Sequence, residues 1–171
     1  LIGHVYIVCL RLAQRLRSFV GHTGPVLDVS WRDNDVFASA AGDKTIRVWS
    51  VQARTADQVL KDVDGAFEYS TEDLGEVAQV VETSVRQYVG HTDEVNGVTW
   101  SPDKRLLASG SDDRTAKIWQ INSDEAVLHL RGHSSEIYTL CWSSSGPGSN
   151  NPDLPLRLIT YALRIQKNGL S

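Results

Sequence analysis

The chain has 171 residues, 41% of them apolar and 22% charged, with a formal net charge of −4. That balance fits a soluble globular protein rather than a disordered or membrane one, and no run approaches the ~18 consecutive apolar residues of a transmembrane helix. Without a basic surplus to displace counterions, nucleic-acid backbone is not the expected partner. In chain order, "LIGHVYIVCL" (1–10) is apolar enough for a signal-peptide core, but its arginines follow the run instead of preceding it. The chain opens on Leu1 and holds no methionine, so a fragment or an incomplete gene is expected. Next come "VLDVSW" (26–31), "VFASA" (36–40) and "TIRVW" (45–49). These short runs of β-branched and aromatic residues, separated by Gly, Asp and Asn, predict strands. Residues 52–86 break the pattern; 57–82 hold eight acidic side chains and one basic, Lys61. Within them "DLGEVAQVVETSV" spaces Val77, Val80, Val81 and Val85 as an amphipathic helix would, and a solvated loop or a retained intron is the competing and favoured expectation. Strand-like runs resume with "VNGVTW" (95–100), "LLASG" (106–110) and "TAKIW" (115–119). Cys9 and Cys141 lie far apart and match no zinc or redox spacing, so two unpaired thiols are expected.

The chain repeats. Gly-His occurs at His4, His22, His91 and His133, and the last three open similar segments: "GHTGPVLDVSW", "GHTDEVNGVTW" and "GHSSEIYTLCW". After the first two, "FASAAGDKTIRVW" aligns with "LASGSDDRTAKIW". Ser39 falls on Ser109, Asp43 on Asp113, Thr45 on Thr115 and Trp49 on Trp119. The interval from His91 to His133 fits the ~40–45 residues of a four-stranded propeller blade.

With Gly-His at the start and Trp near the end of each unit, the chain resembles the WD-repeat β-propeller family. The usual Asp after that Trp is replaced by Ser50 and Gln120. The resemblance implies an all-β propeller fragment of about two complete four-stranded blades plus two partial ones. Residues 1–20 would end a preceding blade, 21–90 form a blade with the acidic insert, 91–131 a complete blade and 132–160 a partial one, with 161–171 an atypical tail. In that tail the register puts Arg164 where the turn Asp belongs and Leu170 where the Trp belongs.

The resemblance also gives the polar residues a role. Asp113 accepts from the ring of His91, which bonds Ser109, whose oxygen accepts from the Trp119 indole; His22, Ser39, Asp43 and Trp49 are the equivalent set. Ser, His and Asp are also the members of a hydrolase triad, so an esterase is the competing reading. Against it, the trio recurs in two units, and a Ser tied to an indole on a packed blade has no substrate access or oxyanion hole. No P-loop, dinucleotide fingerprint or metal-ligand spacing appears, so no cofactor, metal or small-molecule substrate is expected.

The third unit carries "GPGSNNP" (Gly146 to Pro152) between "EIYTLCW" and a strand. This loop, with the order of the two preceding blades, is similar to the transducin-β-like nuclear corepressor family. That resemblance implies a nuclear, non-enzymatic scaffold whose partners are corepressor and histone deacetylase subunits and histone tails. Positions three and five after each His would reach the channel rim: Pro25 and Leu27, Glu94 and Asn96, Glu136 and Tyr138, with Asp112 beside them. Acidic groups and an exposed Tyr suit a basic peptide. A ubiquitin-ligase substrate receptor, a signalling scaffold and a degenerate fragment without activity of its own stay open as alternatives.

Overall fold

The computed structural model describes residues 3–9, 14–52, 79–143 and 157–162. Among these there is no helix, as expected where β-branched and aromatic residues alternate between turn-forming ones. The strands are β1 (His4–Cys9), β2 (Gln14–Val20), β3 (Val26–Trp31), β4 (Val36–Ala41), β5 (Thr45–Ser50), β6 (Gln79–Val81) and β7 (Arg86–Val89). They continue as β8 (Val95–Trp100), β9 (Leu107–Ser111), β10 (Ala116–Trp119), β11 (Leu128–Leu130), β12 (Ile137–Ser143) and β13 (Arg157–Ala162). Four sheets result, in the orders β1-β2-β6, β3-β4-β5-β7, β8-β9-β10-β11 and β12-β13.

The two middle sheets are complete antiparallel blades. In each, the first strand follows a Gly-His pair and the fourth precedes the next one. First strands of successive sheets lie side by side. The Val98 amide donates to Asp28 Oδ2 (3.0 Å) and the Trp100 amide to Ser30 Oγ (3.3 Å). The Trp142 indole donates to the Thr99 carbonyl (3.0 Å). β3, β8 and β12 thus form the inner strands of three neighbouring blades, and the chain is an all-β propeller fragment.

The cores lie between sheets, not within them. Val36, Ala38, Ala40, Ile46 and Val48 of the first complete blade pack against Val98, Trp100, Leu107 and Trp119 of the second, with Tyr88 in the same cluster. One layer back, Phe19 of β2 meets Phe37 edge to face (4.8 Å, 89°) and packs with Trp49, Val51 and Val81. A blade therefore takes most of its apolar burial from its neighbours.

The segment after β5 departs from expectation. Val80 and Val81 are not helical: Gln79–Val81 is strand β6, paired in parallel with Arg17–Phe19 on the outer edge of β2. Val81 completes the Phe19–Trp49 cluster while Val80 is exposed, a two-residue alternation of strand type. A valine spacing compatible with a helical face is here served by a strand and, at Val85, by a loop residue packed on the next core. Val77 and most of the acidic insert lie outside the described residues. In the third unit β13 continues two residues past Thr160, with Tyr161 and Ala162 paired to Thr139 and Ile137. "GPGSNNP", Arg164 and Leu170 lie outside the described residues. Cys141 is a free, exposed thiol.

Candidate functional site

Each complete blade carries a chain of polar contacts from its entry loop to its third strand. His22 Nδ1 lies 2.9 Å from Asp43 Oδ2 and Nε2 lies 2.7 Å from Ser39 Oγ, while the Trp49 indole donates to the same Oγ over 2.9 Å. In the second blade His91, Asp113, Ser109 and Trp119 repeat this at 2.7, 2.8 and 2.8 Å. The separation from His to Ser is 17 residues in the first blade and 18 in the second. The shorter β3–β4 hairpin absorbs the difference.

Two contributors carry no assigned role in the sequence reading. Thr45 and Thr115, at the start of each third strand, donate their hydroxyls to the turn Asp (2.7 and 2.6 Å). The amides of Thr23 and Thr92, next to each His, donate to the other carboxylate oxygen (2.9 and 3.0 Å). The matched Thr positions in the two repeats were the available signal. Each Gly-His glycine has its own reason. A Cβ on Gly21 or Gly90 would sit 3.0 Å from the Trp49 or Trp119 ring, tighter than ordinary contact. Where the usual Asp after Trp is absent, Ser50 donates instead to the buried Asp35 (3.0 Å).

The donors run in one direction. Indole N–H donates to Ser Oγ, Ser O–H to His Nε2, and His Nδ1–H to Asp, so every group is satisfied with the imidazole neutral. Burial disfavours the cation and holds both His22 and His91 below the usual histidine range, against the pull of Asp43 and Asp113. Burial alone would raise Asp113. The Thr115 hydroxyl, the His91 ring and the Thr92 amide outweigh it and bring its carboxyl down to about 2. Asp43 is lowered by the matching partners.

This polarity is also that of a hydrolase triad, so access must distinguish the two. Ser39 and Ser109 are both 0% exposed, and each Oγ already receives an indole N–H. A substrate carbonyl has no approach to either oxygen.

The residues expected at the rim share an irregularity. Register shifts fall between Val26 and Asp28, between Val95 and Gly97, and between Ile137 and Thr139. Leu27, Asn96 and Tyr138 are thus the extra residues of three equivalent β-bulges, which re-aim a side chain at a strand end. Asn96 donates to Asp112 Oδ1 (2.5 Å) and to the Ile137 carbonyl (3.1 Å), and the Asp112 amide donates to the Glu94 carbonyl (3.0 Å). Asp112 is thereby brought beside the third unit, where Tyr138 and Glu136 stand. Partial desolvation, then the carboxylates of Asp112 and Glu136, raise the Tyr138 hydroxyl above its ordinary value. Exposed Pro25 accepts from the Gly42 amide (2.9 Å) at the same end of the first blade. Lys44, in the turn between β4 and β5, reaches the Thr92 carbonyl (2.9 Å), linking that turn to the entry loop of the second blade.

Inner strands in register, an entry-loop His tied to a turn Asp, and a Trp on the third strand define a propeller built from repeats. The family description "WD domain, G-beta repeat" matches residues 13–50, 82–120 and 124–148. The chain belongs to the WD-repeat family, whose repeats serve as protein-interaction scaffolds. It is 38% identical over 142 residues to WD40 repeat-containing protein HOS15 of Arabidopsis thaliana, covering 83% of this chain and 19% of that protein. It is 31% identical over 155 residues to the ribosome biogenesis protein WDR12 homolog of Nematostella vectensis, covering 76% and 36%. With transcription initiation factor TFIID subunit 5 of Caenorhabditis elegans the identity is 25% over 163 residues, covering 87% and 25%. A chain in the crystal structure of a mitotic checkpoint complex superposes with a TM-score of 0.61 at 23% identity, over 82% of this chain and 34% of that one, a likeness of fold. The chain thus spans between a fifth and about a third of these relatives' lengths.

Proposed function

We propose that this chain is part of a non-catalytic scaffold that binds a basic peptide, such as a histone tail, at the propeller rim and works in the nucleus within a histone-deacetylase corepressor complex. The observation carrying it is the grouping of the Asp112 and Glu136 carboxylates around the bulged residues Asn96 and Tyr138, with Glu94 on the neighbouring entry loop. Carboxylates there accept charge-assisted hydrogen bonds from Lys or Arg, and the exposed Tyr138 ring offers a face to a cation. The glycine-, asparagine- and proline-rich loop of the third unit and the likeness to a transcription initiation factor subunit support the transcriptional setting. The hydrogen-bonded sets His22–Ser39–Asp43–Trp49 and His91–Ser109–Asp113–Trp119 hold the rim loops in place and take no chemical part.

The test is fluorescence anisotropy with a lysine- and arginine-rich histone-tail peptide. Binding should weaken at least about tenfold in the double variant Asp112→Asn/Glu136→Gln, roughly the 1.4 kcal/mol that a tenfold change represents. It should also weaken as salt rises. Unchanged affinity in the double variant, or a fluorophosphonate adduct on Ser39 or Ser109, would overturn the proposal.

A further inference from the structure

The two complete blades differ at one corner, where the third and fourth strands approach the next Gly-His pair. In the first blade Thr45 pairs with Val89 and Arg47 with Gln87. In the second, Lys117 pairs with His129, and the same register carried one residue on sets Arg131 opposite Thr115. Paired residues share a face of the sheet, and every second residue along a strand keeps it. Lys117, His129 and Arg131 therefore lie on the side that bears Trp119. The second blade groups three basic side chains where the first has Arg47 beside Gln87 and Val89.

The arginine of the first blade is occupied. Its guanidinium lies over the Trp49 ring (5.9 Å) and donates to Ser84 Oγ (3.4 Å). It also fills the space above Gly21, where a Cβ would stand 2.9 Å from Nη1. Lys117 does not repeat this. A Cβ on Gly90 would meet only the Trp119 ring within 4 Å, and Gly90 is exposed. The slot that Arg47 fills in one blade is left open in the other.

Lys117 is only 6% exposed, and among the described residues its Nζ has one polar partner, donating to Nδ1 of the exposed His129 over 2.7 Å. No carboxylate bonds to it. Asp113 is near enough to act on its charge, but His91, Thr115 and the Thr92 amide already take both of that carboxylate's oxygens. Burial, opposed by Asp113 and reinforced by Arg131, holds the Lys117 ammonium below the ordinary lysine range. A buried charge without a bonded counter-ion is costly, and an anion relieves that cost. The donors for one are in place. Lys117 keeps two N–H groups free, and His129, with Nδ1 accepting, carries its proton on Nε2. Arg131 is exposed and bonds to no described residue. We propose that Lys117, His129 and Arg131 bind a phosphate monoester, that of a phosphorylated serine or threonine on a partner protein. The tetrahedral oxygens of a phosphate serve an ammonium, an imidazole N–H and a guanidinium at once. Repeats of a family that holds proteins favour a phosphorylated chain as its source. This corner takes an acidic group where the rim takes a basic one, so the two sites can be tested apart.

A chemical-shift titration of the 171-residue chain, followed on the His129 ring protons, tests this. The shifts should saturate with inorganic phosphate and with N-acetyl-phosphoserine amide. They should stay flat with N-acetyl-serine amide and with chloride at matched ionic strength. Arg131→Ala, at an exposed position, should weaken both phosphates about tenfold, as expected for one lost charge-assisted hydrogen bond. Lys117→Gln should weaken them further. Arg105→Ala, which removes an exposed charge from the β8–β9 hairpin, should change neither. Saturation by inorganic phosphate alone would overturn the assignment to a phosphorylated partner. Shifts that fail to saturate, full affinity in Arg131→Ala, or an equal loss in Arg105→Ala would overturn the site itself.

Discussion

The first and second complete blades hold their His, Ser, Asp and Trp in the same order and at nearly the same distances. Their apolar faces differ: Val29 and Trp31 of one are open where Val98 and Trp100 of the other are closed. The contrast separates two sources of order. The polar chain joins residues of a single repeat, so each blade builds it alone. Burial of the inner strand comes from the blade before it, and a repeat cannot supply that for itself.

The largest test of this contrast is truncation of the two matched tryptophans. Trp100→Ala should cost about 3–5 kcal/mol in urea unfolding, the range for a buried large side chain. Trp31→Ala should cost less than half as much, because Trp31 is half exposed. Equal losses would mean that neighbour burial is not what separates the blades. Next in size are Ser39→Ala and Ser109→Ala. Each strands an imidazole nitrogen and an indole N–H in a buried setting, at about 1–3 kcal/mol. Because the frame is internal to a repeat, the two losses should match, and a large inequality would show that the frame also leans on its neighbours.

The smallest effect is the pH dependence. His22 and His91 titrate lower in the folded chain than when unfolded, so the unfolded state takes up protons first and stability falls with acid. Their contribution is complete above the unfolded histidine value of 6.5 and is lost as pH drops below it. Asp113 acts in the same direction further down. Its contribution is present above 3.8 and disappears as pH falls toward about 2. The urea midpoint should decline from pH 7 to 5, and His91→Gln should flatten that decline. A midpoint that rises on acidification would reverse the assigned polarity of the chain.

Much of this was legible in the sequence because the repeat displays it twice. The Gly-His, Ser, Asp and Trp positions coincide, and the first three strands of each complete blade are short runs bounded by turn residues. The fourth strands were harder to read. "RSFV", "RQYV" and "LHL" are short, and apolar residues such as Val89 and Leu128 stand on their exposed positions, so no clean alternation announces them. The signal that could have found them is positional: Arg, a spacer, an aromatic residue and Val stand directly before Gly-His in two units. The bulges at Leu27, Asn96 and Tyr138 left no trace either, because an extra residue in one strand shows only against its partner. β6 is a strand where a solvated loop was the favoured expectation and a helical face the other, because three residues are too few to distinguish a period of two from one of 3.6.

β6 also bears on how the chain comes to be folded. Its partner β2 is some sixty positions earlier (Arg17 faces Gln79), so β6 joins the sheet of β1 and β2 and not that of β5 and β7. An excursion that leaves from β5 returns to clasp the sheet behind it before the chain can finish its own blade at β7. Contacts between distant positions carry a loop-closure cost and slow assembly. This clasp ties the first half-blade to the first complete blade, with Val81 seated between Phe19 and Trp49, so the two share one apolar cluster across a long separation in sequence.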